Sequence, residues 1–593
     1  MAIDPITLEV LRNRFDTIAE EMEVTLLKSS YSIIVKEGWD ASAALFDAEG
    51  QTIAQATSIP GHLGMLIPSV NRILRAFAAA TMRPGDAYIL NDPYDGGTHL
   101  PDVTMVVPVF HDGRVVALGC TMTHHQDMGG KSPGSIPTDS TEIFQEGLIL
   151  PPVKFYDAGR PVEAIHEIIR RNVRIPEIVM GDFQAQLAAG CVAQARFSDL
   201  VGKFGLETVL AAKAGLFDRA EAMTRAAIAA IPDGSYHFVD VLDNDGVELD
   251  RRVAIAATVT IRGSEFHVDF AGTDPQCRGP MNSVPSSTTA SVYYVLRAIA
   301  DPSIPNNAGC YRPVRVTLPP GTLVNPIPPA PVCARTATVK RICDVLFGAL
   351  VQAMPDRIPA APGGELVVMG VGGTDPRSGQ PYVTSELATC GYGGRATKDG
   401  IDLIETDATN AMNIPAEAIE AAAPIRIGRF AIRGDSGGAG RFRGGCGMEK
   451  VWEVVRGEAS FSYRGERHFA APWGLFGGLP GRRAEARIVR ADGRVEPIPS
   501  KATLTLRAGE RLEFLTAGGA GYGDALERPP RSVLEDLLDR KVSAATAEAI
   551  YGVVLDASGQ RVDPERTKAR REALRAARGP ITWTYDRGDG RRD

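Results

Sequence analysis

The stretch NDPYDGGTHLPD (residues 91–102) runs into VTMVVPVF (103–110), turns at Asp112 and Gly113, returns as VVALGCTM (115–122) and ends on His124, His125, Gln126 and Asp127. The two apolar runs read as the strands of a β-hairpin, because Asp-Gly between apolar strands is among the strongest short hairpin signals. A two-residue loop sets His111 opposite Arg114. An unbroken ladder from there sets His124 opposite Pro101, between His99 and Asp102. The open end of the hairpin therefore gathers two imidazoles and a carboxylate. Three of the chain's 9 histidines, His99, His124 and His125, lie in the two segments at this open end. Two His and one Asp, with no thiolate, suit a divalent metal that keeps open positions for water or substrate. Such a set accepts Zn, Mn or Fe alike. The alternative is a polar loop that satisfies its own backbone.

Around this triad, His125 alternates to the opposite face of the strand from His124. Asp127, Asp92 and Asp95 are candidate carboxylate partners for metal-bound imidazoles, which commonly need one to fix the tautomer. Asp127 is also a candidate general base. Asp40, in KEGWD (36–40), precedes a strand and is placed as a fourth ligand or general base. A turn aspartate at the strand entry is the competing reading. His62 sits in an apolar loop and reads as a packed, hydrogen-bonded core histidine. Cys120 lies within a hairpin strand and reads as a small core residue. Lys131 and Ser132 follow Gly129 and Gly130, but position 125 is His rather than the first glycine of a phosphate loop. A Walker A reading is rejected.

At 593 residues the chain exceeds one simple core, so several subdomains are expected. A net charge of −8 with both signs interspersed gives no support to nucleic-acid or anionic-membrane binding. The N-terminal residues lack the basic and apolar regions of a signal peptide, and no run approaches the roughly 18 apolar residues of a spanning helix. The 8 cysteines are scattered without a Cys-x-x-Cys, which points to reduced thiols in a cytoplasm. The 62 glycines cluster in short loops between alternating apolar residues, as in a β-rich region with tight turns.

Periodicity gives a helix from Asp4 and Pro5 through Leu26, a hairpin over 41–56, and a helix over 69–81. Mainly helix follows over 162–229, with a break near Pro176. Helix gives way to strand near Gly234, and a second hairpin turns at Arg262 and Gly263. Helices are expected over 286–300 and 338–353, short strands over 425–525, and helices over 532–540, 544–551 and 564–578. The last of these reads as an exposed or partner-bound tail. The expected fold class is α+β, mixed and multi-subdomain, with hairpin-rich sheets. A catalytic region covers 1–526, divided into a metal-bearing part (1–230) and a β-rich part (231–526), and a helical C-terminal tail covers 527–593.

Several motifs carry a resemblance. They are DPITLEVLRN (4–13), NDPYDGGTHLPD (91–102), NVRIPE (172–177), GDFQAQ (181–186), NNAGCYRP (306–313), RGDSGGAGRFRGG (433–445), PWGLFGGLPG (472–481) and GGAGYGD (518–524). Over nearly its whole length the chain resembles the hydantoinase B/oxoprolinase family. The family's metal motif falls on His99, Asp102 and His124, and Asp40 matches another position near that site. The segment ARTA (334–337) departs from the more polar sequence expected there, a difference tied to substrate choice. The resemblance implies the B-type subunit of an ATP-dependent hydrolase of cyclic amides: hydantoin, 5-oxoproline or a lactam. ATP is used by an A-type partner subunit that phosphorylates the substrate, in a hetero-oligomer. The alternatives are the metal-bearing subunit of an ATP-dependent ketone carboxylase of the acetone or acetophenone type, and a non-catalytic partner of the ATPase subunit.

Overall fold

One residue, Val116, sets the geometry of the hairpin. In the computed structural model, which describes residues 3–588 and 591–592, β4 (Asp102–His111) and β5 (Arg114–His124) pair antiparallel. His111 faces Arg114 as the turn requires. The register shifts between Val109 and Phe110: Phe110 pairs with Val115 and Val109 with Ala117, so Val116 has no partner. This is a β-bulge, one extra residue on one strand. Below it every pair moves by one, and His124 faces Asp102 rather than Pro101. Two side chains directly opposite in a ladder share a face, so the bulge puts His124 and Asp102 side by side.

The hairpin is the middle of a seven-stranded sheet. It is joined by β1 (Ala41–Asp47), β2 (Thr52–Gln55), β3 (Ala87–Leu90), β6 (Val153–Asp157) and β7 (Arg160–Pro161) in the order β2-β1-β5-β4-β3-β6-β7. β1 lies against β5 with Ala41 opposite Thr123, and the His124 amide donates to the Asp40 carbonyl at 3.1 Å. Asp40 thus reaches the end of β5 through sheet pairing. The chain turns sharply just before it, at Trp39 (φ 59°).

Helices cover both faces of this sheet. The helix Pro5–Ser29 is capped by Asp4, which accepts from the amides of Ile6 and Thr7. It buries Leu11, Phe15, Ile18, Met22 and Leu26 as the periodicity predicts. The expected 162–229 helical region is three helices, Glu163–Asn172, Pro176–Phe204 and Leu206–Ala229, with a second break at Gly205 (φ 78°). The helix expected from residue 69 begins at His62 and runs through Pro68 to Ala76, followed by a 3-10 turn at Ala79–Thr81. Pro68 lacks the amide that a helix interior uses, which disfavours a helix through it. Packing overrides that: a Cβ on Gly64 would lie 2.6 Å from Ala290 Cα of the helix Pro285–Ile299.

After Gly234 the chain builds a four-stranded sheet from Gly234–Leu242, Val253–Arg262, Glu265–Asp269 and Val314–Thr317. Two further sheets, of four and five strands, account for most of the remaining strands to Leu515. The helix Arg335–Val351 runs through the interior, with every residue but Thr336 buried. It starts three residues earlier than the periodicity marks. Its buried charges are paired: Arg341 with Asp240 and Asp344 at 3.1 Å each, and Lys340 with Glu405 at 3.4 Å. Removing one partner of such a pair leaves an uncompensated buried charge, so these residues hold the surrounding sheets in one arrangement.

The division at 230/231 is a change of element type, mainly helix before it and strand after. The largest apolar cluster runs across it, from Ala44 to Tyr585. The C-terminal helices form at Pro530–Leu538, Ala544–Ala549 and Pro564–Arg578. The last helix is docked rather than free: Arg571 donates to the carbonyls of Tyr551 and Arg528. Beyond it Tyr585 returns to the core between Phe238 and Trp473. Among the described residues no helix is long and apolar enough to cross a membrane. All 8 cysteines are free thiols.

Candidate metal centre

Asn91 fixes the loop that delivers His99. Its amide nitrogen donates to the carbonyls of Leu100 (2.7 Å) and Leu148 (3.0 Å), and its oxygen accepts from Leu150 N (2.6 Å). Gly97 is packed so closely that a Cβ would lie 2.6 Å from the Asn91 carbonyl. The loop closes with the Asp102 amide donating to the His99 carbonyl at 3.0 Å. His99 Nε2 lies 2.9 Å from Asp102 Oδ1, and His124 Nδ1 lies 3.2 Å from the same oxygen. All three residues are buried, and their ligand atoms fall within 4.8 Å of one another. Asp40 Oδ2 is 3.9 Å from His124 Nδ1.

The donor set fits a cation. The Cys333 carbonyl sits 3.3 Å from His99 Nδ1. A carbonyl only accepts, so Nδ1 carries the proton and Nε2 presents a lone pair. That Nε2 is buried and makes no hydrogen bond, although Asp102 Oδ1 is adjacent. Two electron-rich atoms held together in a buried site call for a positive charge between them. The backbone contact on the far nitrogen is the usual way a ligating imidazole is oriented. Asp102 Oδ2 is occupied by Thr98 Oγ1 at 2.7 Å and by the Arg335 guanidinium, which leaves Oδ1 turned to the imidazoles.

Burial lowers His99 to about 3, against the opposing pull of Asp102, so the ring is neutral. Burial acts to raise Asp102, but the adjacent His99 ring, the Arg335 guanidinium and its hydrogen bonds outweigh it and hold the carboxyl well below the usual range. Asp40 is pushed up to about 6 by burial, with His124 opposing and Asp102 reinforcing. His62 is lowered to about 4 by burial.

The expected neighbours separate into two groups. His125 points away from the triad, bonded to Gln186 Oε1 at 3.1 Å and packed on Phe183. Asp127 is not brought to the triad. Its oxygens accept from the amides of Gly129, Gly134 and Arg174 and from Arg174 Nη1, and it does not line the cavity there. Its assignment as general base is corrected on that ground: four donors already occupy it. Asp92 caps the Tyr94 amide and Asp95 pairs with Arg72, so neither orients an imidazole.

His62, expected in the core, is buried and bonded to Ser42 Oγ at 2.8 Å, yet it lines the cavity beside the triad. Arg335, Arg464, Glu405 and Thr409 line it too. Of these, only Arg335 lay in a segment that the sequence marked, ARTA (334–337). The others arrive from distant strands and loops and carry no local signal. The cavity measures about 40 Å³, room for an ion and a few waters, so a larger ligand enters it only as its walls move apart.

The residue pattern of the Hydantoinase B/oxoprolinase family matches residues 4–525. The caprolactamase subunit beta of Pseudomonas jessenii is 35% identical over 583 residues, 96% of this chain and 99% of that protein. The crystal structure of ATP-dependent caprolactamase from Pseudomonas jessenii superposes with a TM-score of 0.86 at 33% identity, covering 96% of this chain and 100% of that one. A nucleotide-free acetone carboxylase structure shares the fold, with a TM-score of 0.89 at 22% identity over 97% of this chain and 83% of that one.

Proposed function

The chain belongs to the hydantoinase B/oxoprolinase family, and we propose that it is the metal-bearing B-type subunit of an ATP-dependent amidohydrolase. It opens a cyclic amide, a hydantoin, 5-oxoproline or lactam, after an A-type subunit has phosphorylated the substrate. One observation carries this reading: His99 Nε2, Asp102 Oδ1 and His124 Nδ1 converge in a buried pocket, with Nε2 left unpartnered by hydrogen bonding. These three residues would hold one divalent ion, His124 exchanging its hydrogen bond to Asp102 Oδ1 for the ion, with Asp40 completing the set or acting as base. A bound ion supplies Lewis-acid polarisation and a water of lowered pKa.

Amide resonance makes a ring carbonyl a poor electrophile, and phosphorylation of its oxygen removes that protection. Water then adds to the ring carbon. Asp40 faces this space with its side chain 20% exposed, and takes the proton of the attacking water. The ring nitrogen is protonated as its bond to carbon breaks. The acyl phosphate that remains gives carboxylate and phosphate on attack by a second water. His62, neutral and bonded to Ser42, lines the wall without adding charge.

The test pairs the chain with its copurifying ATP-binding subunit. His99→Ala that still assembles is expected to lose both stoichiometric metal and ATP-dependent ring opening. Full activity in that variant overturns the proposal. Labelled bicarbonate retained in the product would assign a carboxylase instead.

A further inference from the structure

Two arginines line the cavity beside the triad. Arg335 and Arg464 are 5% and 2% exposed. We propose that they form an oxyanion subsite with the first turn of the Arg335–Val351 helix, and that this subsite receives the phosphoryl group carried by the activated amide. The inference rests on the amidohydrolase reading above for the identity of the phosphoryl donor, and on the geometry for the site.

Arg464 Nη1 donates to the Cys333 carbonyl at 2.6 Å, the same atom that holds His99 Nδ1. One backbone oxygen therefore sets both the imidazole and the guanidinium around a common point. Arg464 makes no ion pair among the described residues, although Glu146 lies within its field. Arg335 gives Nη2 to Asp102 and Thr98, while its Nε is buried with no partner. It opens a 17-residue helix whose N-cap, Ala334, offers no side-chain acceptor to the first-turn amides. Thr336, in the same turn, also lines the cavity. A helix N-terminus with guanidinium groups in front of it is suited to an oxyanion.

Charge points the same way. Of the carboxylates lining the cavity, Glu405 is matched by Lys340. Asp40 and Asp102 then balance the two arginines, so a divalent ion leaves the pocket positive. Buried charge needs a counter-charge, and a phosphoryl dianion supplies it. A phosphoryl oxygen is also bonded to the very carbon that water attacks, so every substrate of the proposed class brings this group beside the triad. A ring carboxylate is present in only some of them.

The probe is inorganic phosphate, titrated into the metal-loaded chain without partner or ATP and followed by calorimetry, with acetate as the carboxylate arm. Phosphate is expected to bind, and Arg464→Met to weaken it by about tenfold to a hundredfold at unchanged metal content. Arg335→Met should do the same. Because Arg335 touches Asp102, its metal content is measured alongside, and the Arg464 variant decides if metal is lost. Unchanged phosphate affinity in Arg464→Met overturns the subsite, and so does acetate binding in preference to phosphate. Loss of the subsite with ring opening intact would leave the amidohydrolase reading standing. Arginine-dependent phosphate binding in a complex that opens no cyclic amide would refute that reading and not the site.

Discussion

Asp127→Asn separates a structural carboxylate from a chemical one. The Asp127 side chain accepts four N–H groups: Gly129 N at 3.2 Å, Gly134 N at 3.1 Å, Arg174 N at 2.8 Å and Arg174 Nη1 at 2.9 Å. Each oxygen takes two of them. Asparagine keeps one acceptor oxygen and turns an NH₂ toward the other two donors. Leaving a buried donor unsatisfied costs about 1–3 kcal/mol, so two lost bonds come to roughly 2–6 kcal/mol. The Arg174 side chain is 31% exposed and can be resolvated, which places the expected loss near ~3 kcal/mol, at the low end for a broken buried pair. Urea unfolding followed by fluorescence would read this as a lower midpoint at unchanged slope. Metal content, and activity per folded chain, should be unchanged. An unaltered midpoint together with lost turnover would refute the reasoning and return Asp127 to the chemistry.

Three further outcomes follow from particular contacts. His62 titrates at about 4 when folded and about 6.5 when unfolded, so the unfolded chain takes the proton first and stability falls as pH drops from about 6.5 toward 4. That amounts to about 2 kcal/mol between pH 7 and pH 5; unfolding measured at both pH values should show His62→Gln missing this component, and an equal pH dependence in both proteins would contradict it. Gly190→Ala places a Cβ 2.4 Å from Val107 Cγ2, where the Pro176–Phe204 helix crosses the hairpin. Overpacking there should cost about 1–3 kcal/mol in thermal or urea unfolding, despite alanine's better helix propensity; a stabilised variant would show that the helix gives way freely. Tyr585→Ala removes a ring 5.0 Å from Phe238 and 5.7 Å from Trp473, and a hydroxyl bonded to the Gly348 carbonyl. A loss of about 3–5 kcal/mol is expected, and an unchanged melting temperature would mean that the C-terminal return adds nothing to the core.

What could be read from the chain divides by the range of the interactions. The helix opened by Asp4 and Pro5, and the hairpins turning at Asp112 and Gly263, depend on residues within a few positions of one another, and their signals are local. The bulge at Val116 was not legible. Val115 and Val116 are chemically identical, and nothing in a two-valine run says which one drops out of the ladder. The choice belongs to the whole sheet, in which β1 must lie along β5 with Ala41 opposite Thr123. The early start of the His62–Ala76 helix depends likewise on a helix more than two hundred residues away.

The triad survived the wrong register for a physical reason. A one-residue slip reverses the face of every side chain on a strand, so an unbulged ladder puts His124 and Asp102 on opposite faces of the sheet. The sequence still groups them, because Pro101 sits between His99 and Asp102 and any side chain at the hairpin's open end lies near both. Proximity was legible without orientation. Orientation is what chemistry needs, and here it comes from outside the hairpin: the Cys333 carbonyl turns His99, and Arg335 takes one oxygen of Asp102. Both lie beyond residue 230. The three triad residues therefore belong to one hairpin and the loop that enters it, while the Cys333 and Arg335 atoms that orient two of them belong to the other half of the chain. A chain truncated after residue 230 should retain the three ligand side chains and lose the arrangement that makes them a site.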